Sequence, residues 1–167
     1  MIADKKIDET FMKAALSLAK EAAAEGEVPV GAVLVRDGKI IARGKNTRET
    51  RRDPLGHAEI SAISDGAKEI GSWRLNDCTL YVTLEPCPMC AGAIINARVG
   101  RVVYGAADDK AGSVGSLINL FAVGYNHAPA LTVGVLEDDC SRLLSEFFEK
   151  RRQGLAPFLK TEFNFNA

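Results

Sequence analysis

The sequence lacks an apolar run long enough to cross a membrane, and this lack excludes several classes of protein. No apolar stretch reaches the roughly 18 residues that a spanning helix needs. The opening residues, MIADKKIDE, lack the apolar core of a secretory signal. The four cysteines do not indicate a disulfide framework, because the chain is not a short secreted scaffold. We therefore expect no membrane attachment and a reducing cytoplasm, in which thiolates are free to bind metal.

The chain also lacks an excess of charge of either sign. Its formal net charge of −1 at pH 7 excludes a protein that coats nucleic acid through bulk charge, but a local basic face remains open. Repeats, low-complexity segments and linkers are missing as well. A length of 167 residues with 47% hydrophobic content is typical of one globular unit. We predict a single domain over residues 1–153 and a C-terminal tail over residues 154–167.

The spacing of apolar residues predicts helices and strands that alternate after a first hairpin. Asp8 is a good N-cap for the first helix, and the pair Asp37 and Gly38 marks the hairpin turn. The predicted helices cover residues 7–25, 58–70, about 88–97 and 138–152, with a short one near 117–121, and the predicted strands cover residues 28–35, 39–42, 79–84, 101–105 and 131–136. This order predicts an α/β fold in which helices cover the faces of a five-stranded mixed sheet.

Two short motifs lie where the chain is predicted to begin a helix. HAE at residues 57–59 precedes the second helix, and PCPMC at residues 86–90 follows the third strand. Ligand sites in α/β proteins favour such edges. At a helix start the spacing of Cys87 and Cys90 brings both sulfurs to one side. The positive end of the helix favours their thiolate forms, which are the forms that bind metal.

These residues indicate a catalytic zinc site. Two cysteines alone leave redox chemistry open, and His57 supplies a third ligand. Three protein ligands leave one coordination position for water, whose pKa then falls towards neutrality. Glu59 is close enough to move protons between that water and a substrate. Taken alone, Cys87 and Cys90 would fit a redox or structural site equally well. Taken alone, Glu59 would fit a solvated residue on the surface of a helix. Residues two apart diverge on a helix, so we expect His57 at the helix mouth.

Other polar residues carry weaker signals. Cys78 and Cys140 have no partner at ligand spacing and are interpreted as small buried hydrophobes. His127 is interpreted as a surface or loop-capping residue. Two basic groups fit either phosphate contacts or a solvated face, and phosphate contacts would make RNA binding weaken steeply with salt. These groups are Lys45, Arg48, Arg51 and Arg52 before His57, and Lys150, Arg151 and Arg152 on the last helix.

H-x-E followed by P-C-x-x-C resembles the signature of the zinc nucleobase deaminases. The short motif alone also fits cytosine, guanine or deoxycytidylate deaminases. A longer likeness, over about residues 8–153, is to the bacterial tRNA-specific adenosine deaminases, and the GxxGS loop and the FF..RR helix favour this family. It rests on EVPVGAVLV at residues 27–35, GKN at 44–46, HAEI at 57–60, LYVTLEPCPMCAGAI at 80–94, VVYGAADDKAGSVGS at 102–116, NH at 126–127 and FFEKRR at 147–152.

The resemblance implies a three-layer cytidine deaminase-like fold with one Zn²⁺ per subunit on His57, Cys87 and Cys90. The family's reaction is the hydrolytic conversion of the wobble adenosine in a tRNA anticodon to inosine. In it, the activated water attacks C6 of a base that is splayed out of its loop, and Glu59 shuttles the protons. The implied partners are the anticodon stem-loop and a second copy of the chain, with the pocket close to the subunit contact.

The same resemblance implies four substrate contacts. Asn46 would hydrogen-bond the target nucleotide, Asp108 would lie near the sugar, and Leu84 and Phe148 would form pocket walls. Each has a plain structural alternative: a turn cap for Asn46, a solvated carboxylate for Asp108, and core packing for the other two.

The chain departs from the family pattern close to the site. Leu55 and Gly56 replace a small polar residue and an alanine before the histidine, and Ala107 replaces a common basic residue. These changes bear on substrate contacts and not on the metal ligands. Two further functions therefore stay open: a deaminase of a free base or nucleoside of the guanine or cytosine type, and a non-enzymatic zinc-stabilised module. Glu59 argues against the module, since a structural zinc site gains nothing from an unliganded carboxylate.

Overall fold

The computed structural model describes residues 2–154 and confirms the predicted order of elements, with one helix added. The helices are α1 (Ile2–Ala24), α2 (Arg48–Arg51), α3 (Ala58–Ile70), α4 (Pro88–Asn96) and α5 (Glu137–Arg152), with a 3₁₀ turn at Leu120–Ala122. The strands are β1 (Gly31–Arg36), β2 (Lys39–Lys45), β3 (Cys78–Leu84), β4 (Arg101–Ala106) and β5 (Ala130–Thr132). No helix within residues 2–154 combines the length and apolarity that a membrane span requires.

The five strands form one mixed sheet in the order β2-β1-β3-β4-β5. β1 is antiparallel to both β2 and β3, whereas β3, β4 and β5 are parallel. The C-terminal ends of β2, β3 and β4 therefore meet the N-terminal end of β1 at one edge of the sheet. Ligand sites favour this kind of edge in open α/β sheets.

Helices cover both faces of the sheet, as predicted. α1 and α5 share one apolar cluster with the sheet, which includes Met12 of α1, Val33 of β1 and Cys140 of α5. α3 and α4 share the other cluster, which is centred on Leu34 and Leu80. These two clusters make the three helix–sheet–helix layers that the resemblance implies.

Glycine in the middle of α3 follows from this packing. A Cβ on Gly66 would collide with the side chain of Leu34 in β1. The helix can therefore lie close to the sheet only without a side chain at this position, although glycine weakens a helix by about 1 kcal/mol relative to alanine.

The first helix starts earlier than predicted, and the N-cap assigned to Asp8 is wrong. α1 begins at Ile2, so Asp8 lies inside the helix. Its buried carboxylate accepts hydrogen bonds from the Tyr81 hydroxyl (2.8 Å) and from Nη1 and Nη2 of Arg101 (2.9 and 2.7 Å). Cap propensity is a local signal, and here a distant ion pair accounts for the residue instead.

Smaller differences concern short elements. Residues 45–53, for which no helix or strand is predicted, contain α2. The predicted short helix near 117–121 is the 3₁₀ turn Leu120–Ala122. β5 runs over Ala130–Thr132, so it starts one residue earlier and ends four residues earlier than the predicted 131–136. Nearly all of the predicted tail, beyond Gly154, lies outside the described residues.

Candidate metal centre and active site

The site lies at the sheet edge where four strand ends meet. Asn46 follows β2, Glu85 and Cys87 follow β3, and Asp108 follows β4. His57 comes to the same edge because α3 begins there after the loop that leaves β2. Residues that are far apart in the sequence are therefore gathered by the strand order alone.

The predicted ligands lie at the mouths of two helices. His57 is the N-cap of α3 with extended backbone angles (φ −92°, ψ 147°), which confirms its place outside the regular helix. Cys87 is the N-cap of α4, and Pro88 follows at the first helical position, where its missing N–H costs nothing. Cys90 lies in the first turn of α4 and is fully buried.

The donor atoms of these residues are spaced for a tetrahedral zinc ion. Nδ1 of His57 lies 3.6 Å from Sγ of Cys87 and 3.4 Å from Sγ of Cys90. Tetrahedral angles with ordinary Zn–N and Zn–S bond lengths require an N–S separation of about 3.6 Å. Among residues 2–154, His57, Cys87 and Cys90 are the three side chains whose donor atoms lie close enough together to share one metal ion. One imidazole and two thiolates are a typical donor set for zinc.

The two thiols differ in acidity. The hydrogen bond with Cys90, together with that of His57, lowers the pKa of Cys87 to about 4. The hydrogen bond with Cys87, followed by burial, raises the pKa of the Cys90 thiol far above its ordinary value. The hydrogen bond with Cys87 also raises the pKa of His57. Cys87 is therefore a ready thiolate, and zinc binding must release the proton that the other ligands hold.

Glu59 is a buried carboxylate beside the ligand group. It lies in the first turn of α3, is 4% exposed and lines the same cleft as His57. Burial raises its pKa to about 7. A general acid–base group works best when its pKa lies near the operating pH, so the burial of Glu59 suits a proton shuttle.

A cleft of about 200 Å³ opens onto the ligand group. The structure brings three of the four predicted substrate residues into its wall, namely Asn46, Leu84 and Asp108. It does not bring Phe148 there. Phe148 lies on α5, 39% exposed, with its ring edge-on to Phe147 at 5.6 Å between centroids.

Asn46 and Asp108 also hold the local backbone. Asn46 donates from Nδ2 to the Val28 carbonyl (3.1 Å) and accepts from the Ala58 N–H at Oδ1 (3.1 Å). The Oδ1 atom of Asp108 accepts from the N–H groups of Lys110 (2.9 Å) and Ala111 (3.2 Å). Both residues thus position loops at the cleft.

Sequence reasoning missed two buried carboxylates that flank the cleft. Glu85 accepts hydrogen bonds from the Ser116 hydroxyl and from the N–H groups of Asp108, Val114 and Ser116. Burial alone would raise the pKa of Glu85, but these bonds outweigh it and hold the pKa below its ordinary value. A Cβ on Gly112 would collide with this carboxylate. Glu85 therefore anchors the loop over residues 108–116.

Glu27 anchors the opposite loop in the same way. Its carboxylate is 1% exposed and accepts from the N–H groups of Glu49 (3.1 Å) and Thr50 (2.7 Å). The only sequence signal for either residue is a glutamate next to an apolar strand, in EVPVG and LEPC, where a solvated side chain is not expected.

The remaining sequence interpretations have clear outcomes. Cys78 and Cys140 are buried, as expected of small hydrophobes, and His127 caps a loop through Nε2 and the Val99 carbonyl (2.8 Å). Lys45 forms ion pairs with Glu25 (2.7 Å) and Glu21 (3.4 Å) of α1. The exposed cations of the loop are therefore the arginines Arg48, Arg51 and Arg52.

The layered α/β fold and the His-Cys-Cys group with its adjacent glutamate define a zinc-dependent deaminase with a cytidine deaminase-like fold. A family model for MafB19-like deaminases matches residues 6–152. The tRNA-specific adenosine deaminase of Bacillus subtilis is 51% identical over 147 residues, which cover 87% of this chain and 91% of the relative. The chain belongs to this deaminase family and, within it, to the tRNA-specific adenosine deaminases.

Solved structures agree with this placement. A structure from work on A-to-I editing by tRNA:A34 deaminases at the wobble position of transfer RNA matches with a TM-score of 0.79 and 44% identity, covering 81% of this chain and 99% of that one. A guanine deaminase from Bacillus subtilis matches with a TM-score of 0.58 and 39% identity, covering 86% and 93%. The same fold thus occurs in relatives that are named for different substrates.

Proposed function

We propose that the protein hydrolytically deaminates the wobble adenosine of a tRNA anticodon to inosine and releases ammonia. The observation that carries this proposal is the buried Glu59 beside the zinc-type ligand group, in a chain half identical to tRNA-specific adenosine deaminases. A cleft of about 200 Å³ admits a single base, so the adenosine must leave its stack in the anticodon loop.

Glu59 carries the protons of the reaction. When bound by His57, Cys87 and Cys90, zinc supplies the Lewis acidity that makes a water molecule acidic near neutral pH. The Glu59 carboxylate takes a proton from that water and delivers one to N1 of the adenine. As the water oxygen bonds to C6 it gives up its second proton to Glu59, which passes this proton to the amino group. The bond from C6 to that nitrogen breaks, so that water and adenosine become inosine and ammonia. Burial raises the pKa of Glu59 to about 7, near neutral pH, where a carboxyl group can both take up and release a proton.

Three cleft residues are proposed to hold the target nucleotide. Asn46 has a second Nδ2 hydrogen besides the one given to Val28, which can bond the nucleotide. Asp108 has an Oδ2 atom that no described hydrogen bond uses, which can accept from a ribose hydroxyl. Leu84 offers an apolar wall to the base. For Phe148 the support is the family resemblance alone, and we retain it as a proposal.

We infer that the anticodon stem-loop is the RNA partner and that the enzyme is a cytoplasmic homodimer. Free thiolate ligands suit a reducing compartment, and tRNA is used in the cytoplasm. Exposed apolar side chains at residues 117–125 favour a second copy. We also propose that residues 1–153 form one deaminase domain followed by a tail, because the sheet and both apolar clusters draw on residues from α1 to α5.

The deciding assay is sequencing of RNA after incubation with the zinc-loaded enzyme. A tRNA transcript with adenosine at the wobble position should give an A-to-G change at that position and no other, because reverse transcription reads inosine as guanosine. A transcript with guanosine at the wobble position is the matched control for background. Ammonia release from free guanine or cytosine, with the tRNA left unchanged, would replace this proposal by the free-base alternative.

A further inference from the structure

A short loop, which we name the α2 loop (residues 46–56), stands beside the cleft with little apolar support. None of the residues of α2 itself is buried. The base of the loop is closed by two hydrogen bonds, from the Ala58 N–H to Asn46 and from the Thr47 N–H to the Gly56 carbonyl (2.9 Å). Because apolar burial does not hold α2, its position depends on polar contacts.

Glu27 makes the contacts that hold the start of α2. The N-cap residue, Thr47, forms no side-chain cap bond. The Glu27 carboxylate instead takes the N–H groups of Glu49 and Thr50, the second and third residues of the helix. These are the donors that an N-cap side chain ordinarily satisfies, and a carboxylate also suits the positive helix end. Since Glu27 is 1% exposed and precedes β1, it ties the loop to the sheet edge.

The α2 loop presents cations at the mouth of the cleft. Arg48 lines the cleft with a side chain that is 56% exposed and whose guanidinium lies 4.0 Å from the Glu49 carboxylate, a looser pair than those of Lys45. Arg51 and Arg52 are exposed further along. Lys45 is not part of this set, because Glu21 and Glu25 bind its ammonium group. Guanidinium groups at fixed positions suit bidentate contacts with phosphates.

We propose that Glu27 is a positioning residue for RNA recognition: by holding α2 against the sheet edge it sets Arg48 and Arg51 where they meet the phosphates that flank the target nucleotide. This role rests on the proposed function, since it assumes an RNA substrate. Glu27 also lines the cleft, but both of its carboxylate oxygens are taken by N–H groups of α2, so the role assigned to it is to position the loop. It acts before chemistry, so its loss affects RNA binding and leaves the reaction at Glu59 intact.

The test is Glu27→Gln in the full-length, zinc-loaded enzyme with an anticodon stem-loop as substrate. The amide loses the charge and one acceptor, so α2 is released. The KM for the stem-loop should rise about tenfold, on the order of one charge-assisted hydrogen bond, while kcat stays within about twofold. The dependence of KM on salt should become shallower, because fewer phosphates are neutralised. If Glu27→Gln does not fold, the same measurements are made on Glu27→Asp, which keeps the charge but is too short to reach α2. The same rise in KM and the same shallower salt dependence are expected.

Controls separate positioning from plain stability. Glu69→Gln makes the same chemical change on the exposed face of α3, and Val35→Ala weakens the core at the far end of β1. Both should keep the wild-type KM. When Arg48 and Arg51 are both changed to alanine, adding Glu27→Gln should raise KM by less than about twofold. The reason is that Glu27 acts through the phosphate contacts that the arginine changes have already removed.

The outcomes distinguish the two proposals. A wild-type enzyme that leaves the wobble adenosine unchanged overturns the proposed function, and the role of Glu27 in tRNA recognition falls with it. A wild-type enzyme that edits, together with an unchanged KM in Glu27→Gln, overturns the role of Glu27 alone. A KM increase that is just as large in Val35→Ala, or that adds in full to the arginine variant, also overturns it.

Discussion

At the scale of single residues, environment decides which carboxylate does chemistry. Glu27, Glu59 and Glu85 are all buried at the same sheet edge. Glu27 and Glu85 have their oxygens filled by N–H or O–H donors from the chain, so they are fixed acceptors. All three line the cleft, but burial raises the pKa of Glu59 to about 7, so Glu59 can both take and give a proton.

Glu59→Ala should keep zinc and the fold but abolish turnover. The alanine removes no metal ligand, so zinc content measured by atomic emission should remain at one per chain. The deamination rate should fall at least about a hundredfold, the lower end of what general acid–base catalysis contributes. Glu69→Ala, on the exposed part of α3, is the matched control. Substantial residual deamination would remove Glu59 from the mechanism, and loss of zinc would show that it serves the metal instead.

The residues that carry the chemistry were predictable because each is a rare type in a spaced motif. To predict that His57, Cys87 and Cys90 lie together, it is enough to expect that the two helices begin at the same edge of the sheet. Glu27 and Glu85 were not predictable, because their partners lie 22 to 31 residues further along the chain. A hydrogen bond across that separation depends on the finished fold and leaves no local pattern.

At the scale of elements, local signals predicted the long helices and the central strands well. α3 has the predicted bounds, and β3 and α4 differ by one residue at one end. The errors arise where distant contacts override local preference. Asp8 looks like a cap but serves an ion pair with β4, and α2 exists because Glu27 supplies the cap that its own sequence lacks. β5 has three residues and pairs with β4 at the outer edge of the sheet that residues 2–154 form.

The loop over residues 108–116 should respond to acid through Glu85. The folded-state pKa of Glu85 lies below its ordinary value of 4.5, so the ionised carboxylate stabilises the fold above that pH. This stabilisation is lost as the pH falls from about 4.5 through the folded-state pKa. Glu85→Gln places an amide N–H₂ group against backbone donors and should lower the free energy of unfolding by about 2 kcal/mol at pH 7.

Urea unfolding of the wild type and of Glu85→Gln at pH 7, 5.5, 4.5 and 3.5 checks this expectation. The difference between the two proteins should be constant at the upper two values and should shrink at the lower two. Glu69→Gln should track the wild type throughout, since its carboxylate is exposed. A difference that does not change with pH would mean that the fold does not depend on the charge of Glu85.

At the scale of the whole molecule, the metal-ligand group, Glu59 and the proposed substrate contacts share one edge of the sheet, and an apolar surface adjoins it. The loop that Glu85 anchors at the cleft continues into the exposed side chains Leu117, Ile118, Val123 and Tyr125. Grouped apolar exposure of this kind marks an interface more often than a solvent-facing surface. The opposite end of α3, by contrast, exposes a single large ring, Trp73, which Arg74 covers at 4.2 Å.

If a second copy of the chain covers this surface, one charge introduced into the surface should separate the two copies. Val123 is 62% exposed, so Val123→Glu has little effect on the fold of one chain but places a charge inside the proposed contact. By light scattering after size exclusion, the wild type should have twice the 17.9 kDa mass of one chain, and Val123→Glu should shift towards 17.9 kDa. Trp73→Glu, equally exposed elsewhere, should remain dimeric. A monomeric wild type at tens of micromolar, or a dimer unaffected by Val123→Glu, would assign this surface to something other than a second copy.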